Sequence, residues 1–154
     1  MFNLDDCIAL ITCRSSKVFV TALEHRLRRH NITRIQSFAL YYIHQNSCIT
    51  QRELADFLAV REPAVARLVR ELEHLGLLVR KGSSTDKRVH QLLLTNLGEN
   101  LYEEVMKVIE EFKADTVHGI CEEDLQTLKS CLALMVENAK NNDRNYKDYA
   151  SEKV

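Results

Sequence analysis

The sequence predicts a mainly α-helical protein, and three observations lead to that prediction. Its 154 residues include only four glycines and one proline, too few for the many tight turns of a β-sandwich or barrel. Apolar residues make up 45% and charged residues 28% of the chain, which is typical of a globular domain. Most apolar residues recur every three or four positions, the spacing that places side chains on one face of a helix.

The first half of the chain contains three predicted helices. The first covers about residues 4–29, and its apolar stripe consists of Leu4, Ile8, Ile11, Ser15, Val18 and Ala22. Thr33 followed by Gln36 has the spacing of a capping box, so a second helix begins there and ends near Asn46. Thr50 and Glu53 have the same spacing and begin a short third helix.

The second half begins with a further short helix, which starts near Pro63 and ends before Gly76. Two strand-like runs follow, 77–81 and 89–94, on either side of a turn-rich stretch. Thr95 can cap a long helix, and a last helix covers about residues 122–139.

This order of elements predicts a winged helix-turn-helix with a two-stranded wing and long terminal helices. We expect an N-terminal dimerisation helix over 1–32, the winged helix-turn-helix over 33–98, C-terminal dimerisation helices over 99–140 and a polar tail over 141–154. A second copy of the chain would bury the apolar stripes of the terminal helices. A homodimer would present two recognition helices to a pseudo-palindromic site on double-stranded DNA.

The charge distribution is uneven, although the net charge is −1. Residues 61–90 carry seven basic groups against four acids, whereas residues 99–154 carry thirteen acids against seven basic groups. Solvated helix faces can explain such runs, and so can a polyanion-binding surface in the middle of the chain.

The five cysteines are odd in number and form no Cys-x-x-Cys pair, which predicts reduced thiols and no zinc site. No apolar run reaches the roughly 20 residues of a membrane span, and the N-terminus lacks the pattern of a signal peptide. We therefore expect a cytoplasmic protein without cofactor, metal or membrane partner.

Three segments of the chain resemble the MarR-type winged-helix regulators, and the resemblance covers about residues 4–140. The segments are Ile49–Ala55, Leu68–Leu78, and the wing Asp86-Lys87-Arg88 with the exit Leu94-Thr95 and Gly98. The resemblance implies a homodimeric transcription factor, usually a repressor, that a small phenolic or lipophilic molecule or thiol oxidation releases from DNA.

The resemblance also indicates candidate site residues. On the recognition helix and the wing, the candidate DNA-binding residues are Arg61, Glu62, Ala64, Arg67, Arg70, Lys87 and Arg88. Asp86 shapes the wing and can hold the Arg88 guanidinium. Phe38, Tyr41 and Tyr42 are candidates for the pocket of an unidentified small-molecule effector, and Cys7 for an oxidant-sensing thiol.

Two alternative functions stay open at this stage. The chain is either a ligand-released repressor or an oxidant-sensing repressor that responds through Cys7. A winged-helix module that binds protein partners and not DNA is the other alternative. An enzyme is not expected, because a phosphate-binding glycine loop, a nucleophile elbow and a paired His/Cys arrangement are all missing from the sequence.

Overall fold

The computed structural model describes residues 3–46, 49–82 and 90–142, with only the backbone of His90. Its helices are α1 (Ile8–Leu27), α2 (Arg34–Gln45), α3 (Gln51–Leu58), α4 (Glu62–His74), α5 (Asn96–Thr116) and α6 (Glu122–Asn142). Single 3-10 turns, Leu4–Asp6 and Arg28–His30, flank α1. Strands β1 (Leu78–Gly82) and β2 (His90–Leu94) form the base of the wing. The predicted winged helix-turn-helix is therefore confirmed.

The predicted helix starts are confirmed in their hydrogen bonds. At α2 the Thr33 hydroxyl accepts from the Gln36 N–H, and the Gln36 side chain accepts from the Thr33 N–H. At α3 Thr50 and Glu53 make the same reciprocal pair. Because the Thr50 backbone N–H and then its hydroxyl bind the Glu53 carboxylate, the pKa of Glu53 is lowered.

The strands pair antiparallel, with Leu78 opposite Leu94 and Arg80 opposite Leu92. A third segment joins them, since Thr50 bridges Gln91 and the Leu92 N–H donates to the Ile49 carbonyl at 2.8 Å. The residues just before α3 are thus hydrogen-bonded to the wing. This contact attaches the hairpin to the helix-turn-helix at a second point along the chain.

The chain divides into two compact units, one ending at Phe112 and the other beginning at Lys113. The core of the first unit contains side chains from every helix and strand in it. Its fully buried large members are Leu27, Leu40, Leu54, Leu72, Leu78, Leu92, Val65, Val69 and Val105.

The apolar stripes of the terminal helices, which the sequence predicts a second copy would bury, are largely exposed in the single chain. Leu4, Ile8 and Val18 are 53%, 55% and 67% exposed, and α1 buries only Leu23 and Leu27 near its C-terminal end. In the second unit no residue of α6, which is described in full, is buried. In a single chain these faces contact solvent. Helical periodicity shows that a face is apolar, but only a neighbouring element can bury it.

Among the residues the structure describes, no helix combines the length and apolarity that crossing a membrane requires.

Candidate nucleic-acid interface

The helix-turn-helix consists of α3, a tight turn and α4. Helix α3 ends at Leu58, its C-cap residue Ala59 is left-handed with φ 52°, and the Val60 N–H donates to the Ala55 carbonyl. The chain reverses within three residues, and Glu62 begins α4 with Pro63 in its first turn. Proline fits there because first-turn N–H groups have no helical partner.

One face of α4 packs on the core and thereby fixes which residues face outward. Its buried residues are Val65, Leu68, Val69 and Leu72. At 100° per residue, the opposite face is centred on Pro63, Arg67, Arg70 and His74, all of them exposed. Two arginines one turn apart thus project from the solvent-facing side of the second helix of the helix-turn-helix.

The other predicted α4 residues lie around this face. Arg61 is the N-cap residue, and Glu62 is exposed in the first turn. Ala64 lies on the opposite flank of α4 from Glu62, where it lines a shallow groove with Ile35 and Val60. The structure therefore brings Arg67 and Arg70 together and places Glu62 and Ala64 on either side of them.

Two acids of α4 engage arginines. The Arg67 Nε donates to Glu71 Oε1 at 2.9 Å, within the same helix. Arg80 of β1 donates to Glu73 Oε2 from Nε at 3.1 Å and from Nη2 at 2.7 Å. Arg70 has no hydrogen bond or ion pair with any other residue that the structure describes. The sequence did not indicate the Arg80–Glu73 contact, because the two residues lie on different elements and have no helical or strand spacing between them.

The base of the wing is held at the turn between α4 and β1. The Thr95 hydroxyl donates to the Gly76 carbonyl at 2.6 Å and accepts from the Gly98 N–H at 3.1 Å. The Thr95 N–H donates to the Leu77 carbonyl. A Cβ at Gly98 would lie 2.0 Å from that carbonyl oxygen. Thr95 and Gly98 of the Leu-Thr-x-x-Gly exit therefore hold the turn between α4 and β1 against the start of α5, and we call this contact the clamp. Thr95 also caps α5, as the sequence predicts. The predicted tip residues Asp86, Lys87 and Arg88 lie outside the described residues.

The three aromatic residues of the predicted effector pocket line one cleft. Phe38, Tyr41 and Tyr42 form one wall and Met106 and Ile109 of α5 the other, around a volume of about 240 Å³.

One aromatic wall of this cleft contacts the helix-turn-helix. The Tyr42 ring stacks on Phe57 of α3 with centroids 4.8 Å apart. The Arg34 guanidinium lies over the Phe38 ring, 5.4 Å from its centroid. A ligand that displaces the Tyr42 ring would therefore act directly on Phe57 of α3.

Helix α5 is fastened to the rest of the first unit by histidine–glutamate contacts that the sequence did not indicate. His44 Nδ1 lies 2.6 Å from Glu99 Oε2, and the His44 ring stacks on Tyr102 at 3.9 Å. His30 Nδ1 lies 3.2 Å from Glu104 Oε2. These partners are 55 to 74 residues apart in sequence, so no local pattern could have revealed them.

The candidate redox residue Cys7 is the N-cap residue of α1 and makes no side-chain cap hydrogen bond. Its thiol is half-buried. A sensing thiol needs neighbouring donors or cations that stabilise the thiolate. No hydrogen bond or ion pair joins the Cys7 thiol to a residue that the structure describes.

Comparison with solved structures shows the same fold in proteins of low sequence identity. The S. aureus MepR–DNA complex superposes with a TM-score of 0.81 at 24% identity, covering 89% of this chain and 99% of that one. CouR from Rhodococcus jostii RHA1 bound to p-coumaroyl-CoA gives 0.79 at 20% identity, with 86% and 93% covered. BpsR of Bordetella bronchiseptica, whose DNA binding is regulated by 6-hydroxynicotinic acid, gives 0.80 at 17% identity, with 88% and 97% covered.

The sequence itself matches a family model over the winged-helix region. The match covers residues 30–89, and the model describes the MarR family. This is the region in which α4 exposes Arg67 and Arg70 and the hairpin follows. Over residues 30–89 the chain is therefore similar to the MarR family, and its fold is that of winged helix-turn-helix regulators.

Proposed function

We propose that the protein is a homodimeric repressor that binds a pseudo-palindromic operator and leaves it when a small molecule occupies the α2–α5 cleft. The observation that carries the proposal is the outward face of α4, where Arg67 and Arg70 project one turn apart. A helix of this length fits the major groove, and arginine is the side chain that most often reads guanine there.

The uncovered apolar faces support the homodimer. On the apolar stripe of α1, Ile8 and Val18 are 55% and 67% exposed, and on one face of α6, Leu128 and Val136 are both 52% exposed. Contiguous exposed apolar surface on a small protein marks an interaction site. A two-fold pair would bury both sets of residues and would give each operator half-site its own α4.

The cleft supports a small effector. A volume of about 240 Å³ is just below the roughly 300–1,000 Å³ of pockets for drug-sized ligands, so it suits a single aromatic ring. The hydroxyls of Tyr41 and Tyr42 are the polar groups that could orient such a ring. MepR is similar to this chain and was solved on DNA, and BpsR responds to a one-ring acid. Both resemblances agree with the proposed function.

The test begins with selection of duplexes from a random pool and measurement of their binding by fluorescence anisotropy. Arg70→Ala should lower affinity for the selected operator about 5- to 150-fold if Arg70 contacts a base. Lys129→Ala removes an exposed cation from α6 and serves as the matched control, with little expected effect. The DNA-bound mass should correspond to two protomers for each operator.

The effector step has its own measurement. 6-Hydroxynicotinic acid is the first probe, because its single ring matches the cleft volume, and it is added to the preformed complex with the selected operator. A pool that yields no enriched duplex would contradict the proposal and favour the alternative in which the winged helix binds only protein partners.

A further inference from the structure

The ion pair between Arg80 and Glu73 joins the two elements that the proposed function assigns to DNA. Glu73 lies in the last turn of α4, and Arg80 is the central residue of β1. Two guanidinium nitrogens, Nε and Nη2, donate to the same carboxylate oxygen at 3.1 and 2.7 Å. The Arg67–Glu71 pair differs, because both of its partners belong to α4.

The position of Arg80 on the strand explains how it reaches the helix. Alternation along β1 places Arg80 on the same side as Leu78, which is buried, while Val79 and Lys81 are exposed on the other side. The arginine stem therefore runs along the core-facing side of the hairpin, and the head group turns to the end of α4. Opposite Arg80 in the ladder stands Leu92, which is completely buried.

The hairpin needs such a contact because its attachment to α4 is short and lies at one end. Three residues separate α4 from β1, and the middle one, Gly76, has φ +70°. Thr95 and Gly98 hold this turn in place. A clamp at the base fixes where the hairpin starts, whereas a contact further along the strand fixes the direction in which it leaves.

The pair contributes orientation more than stability. The side chains of Arg80 and Glu73 are 29% and 42% exposed, and ion pairs in such surroundings add little to the free energy of folding. Its two donors nevertheless converge on one carboxylate oxygen, which restricts the geometry of the contact more than a single hydrogen bond does.

We propose that Arg80 and Glu73 are positioning residues that set the angle between α4 and the wing, and thereby the affinity for operators that both elements contact. This inference rests on the proposed function. Neither residue touches DNA in this role. The wing tip and the outward face of α4 can engage one half-site together only if the angle between them is fixed before binding, since otherwise binding must order the hairpin.

The test uses Glu73→Ala, Arg80→Gln and the double variant, each measured on the selected operator across a salt series. Positioning predicts that all three lose affinity about tenfold and that the double variant is no worse than either single one, because the variants break the same contact. The slope of log affinity against log salt should stay unchanged, since no phosphate contact is lost. The melting temperature should fall by no more than about 4 °C.

The sign of the Glu73→Ala effect separates positioning from simple charge. Removing an acidic side chain beside a polyanion should by itself raise the affinity for DNA. Glu71→Ala is the matched control, and its affinity should rise because the substitution also releases Arg67 for DNA. A rise or no change for Glu73→Ala would overturn the inference. So would recovery of wild-type affinity in the double variant, whose net charge equals that of the wild type. An Arg80→Gln slope lower by about one unit per half-site would make Arg80 a direct phosphate contact and would equally overturn it. If the wild-type protein binds no selected duplex, the proposed function itself fails.

Discussion

Replacing Gly98 with alanine tests the clamp that holds the wing to α4. An alanine Cβ would lie 2.0 Å from the Leu77 carbonyl oxygen, 3.0 Å from its carbon and 3.3 Å from the Leu94 Cβ. The first distance is more than 1 Å shorter than an ordinary carbon–oxygen contact, and backbone atoms cannot rotate away as a side chain does. The first turn of α5 must therefore move off the α4–β1 turn.

The magnitude follows from that displacement. Overpacking against a rigid neighbour destabilises by about 1–3 kcal/mol, and the shift also stretches two bonds of Thr95, to the Gly76 carbonyl and from the Gly98 N–H. Together these effects predict a loss of about 3 kcal/mol in the free energy of unfolding. For a chain of this length, that loss corresponds to a melting temperature lower by about 6–12 °C.

Gly82→Ala is the matched control, because a Cβ there meets nothing within 4 Å. It should change the free energy of unfolding by no more than about 0.5 kcal/mol. Urea denaturation followed by circular dichroism measures both variants, at one protein concentration because association would add to apparent stability. If Gly98→Ala and Gly82→Ala are both as stable as the wild type, the close approach of Gly98 to the Leu77 carbonyl oxygen does not constrain the wing. That result would refute the proposed clamp.

Four further outcomes are expected. Leu132→Asp should convert the dimer to an 18 kDa monomer in sedimentation and weaken operator binding in parallel, because a buried unpaired charge costs several kcal/mol; an unchanged dimer mass would exclude α6 from the interface. The pKa of Glu53 is lowered in the folded protein. Ionised Glu53 therefore stabilises the fold at neutral pH, and this stabilisation is lost as the pH falls from the ordinary pKa of a glutamate toward the lowered pKa. Thr50→Ala, which costs about 1 kcal/mol, should abolish that part of the pH dependence in acid titrations followed by circular dichroism. Arg88→Ala should lower operator affinity by about 1–3 kcal/mol and reduce the salt slope by about one unit per half-site; unchanged affinity would refute a DNA contact by Arg88. Cys7→Ser should keep DNA affinity and effector release, and peroxide that dissociates only the wild-type complex would instead favour the oxidant-sensing alternative.

Local signals in the sequence sufficed for the element order and for most helix ends. The capping pairs at Thr33 and Thr50 lie where the structure starts α2 and α3, since a cap depends on residues three apart. Gly76 follows the C-terminal end of α4 and has a positive φ, as its position after the apolar run predicts. The outward face of α4 also follows from local information, because the spacing of its four buried residues fixes the direction of Arg67 and Arg70.

The same local signals could not show which apolar stripes a single chain covers. The stripe of α1 has the period of a buried face, yet Val18 is 67% exposed. Periodicity states that a face is apolar, and only the neighbouring elements decide whether it is buried.

The sequence by itself determined that this protein is a helical, winged chain with two arginines on the outer face of α4. Tertiary structure alone decided which distant residues meet: Arg80 with Glu73, His44 with Glu99, and Gly98 with the Leu77 carbonyl. The physical reason is one of range. Caps and helix faces depend on side chains within one or two turns of the same segment, whereas these contacts form only after loops of 7 to 55 residues have closed.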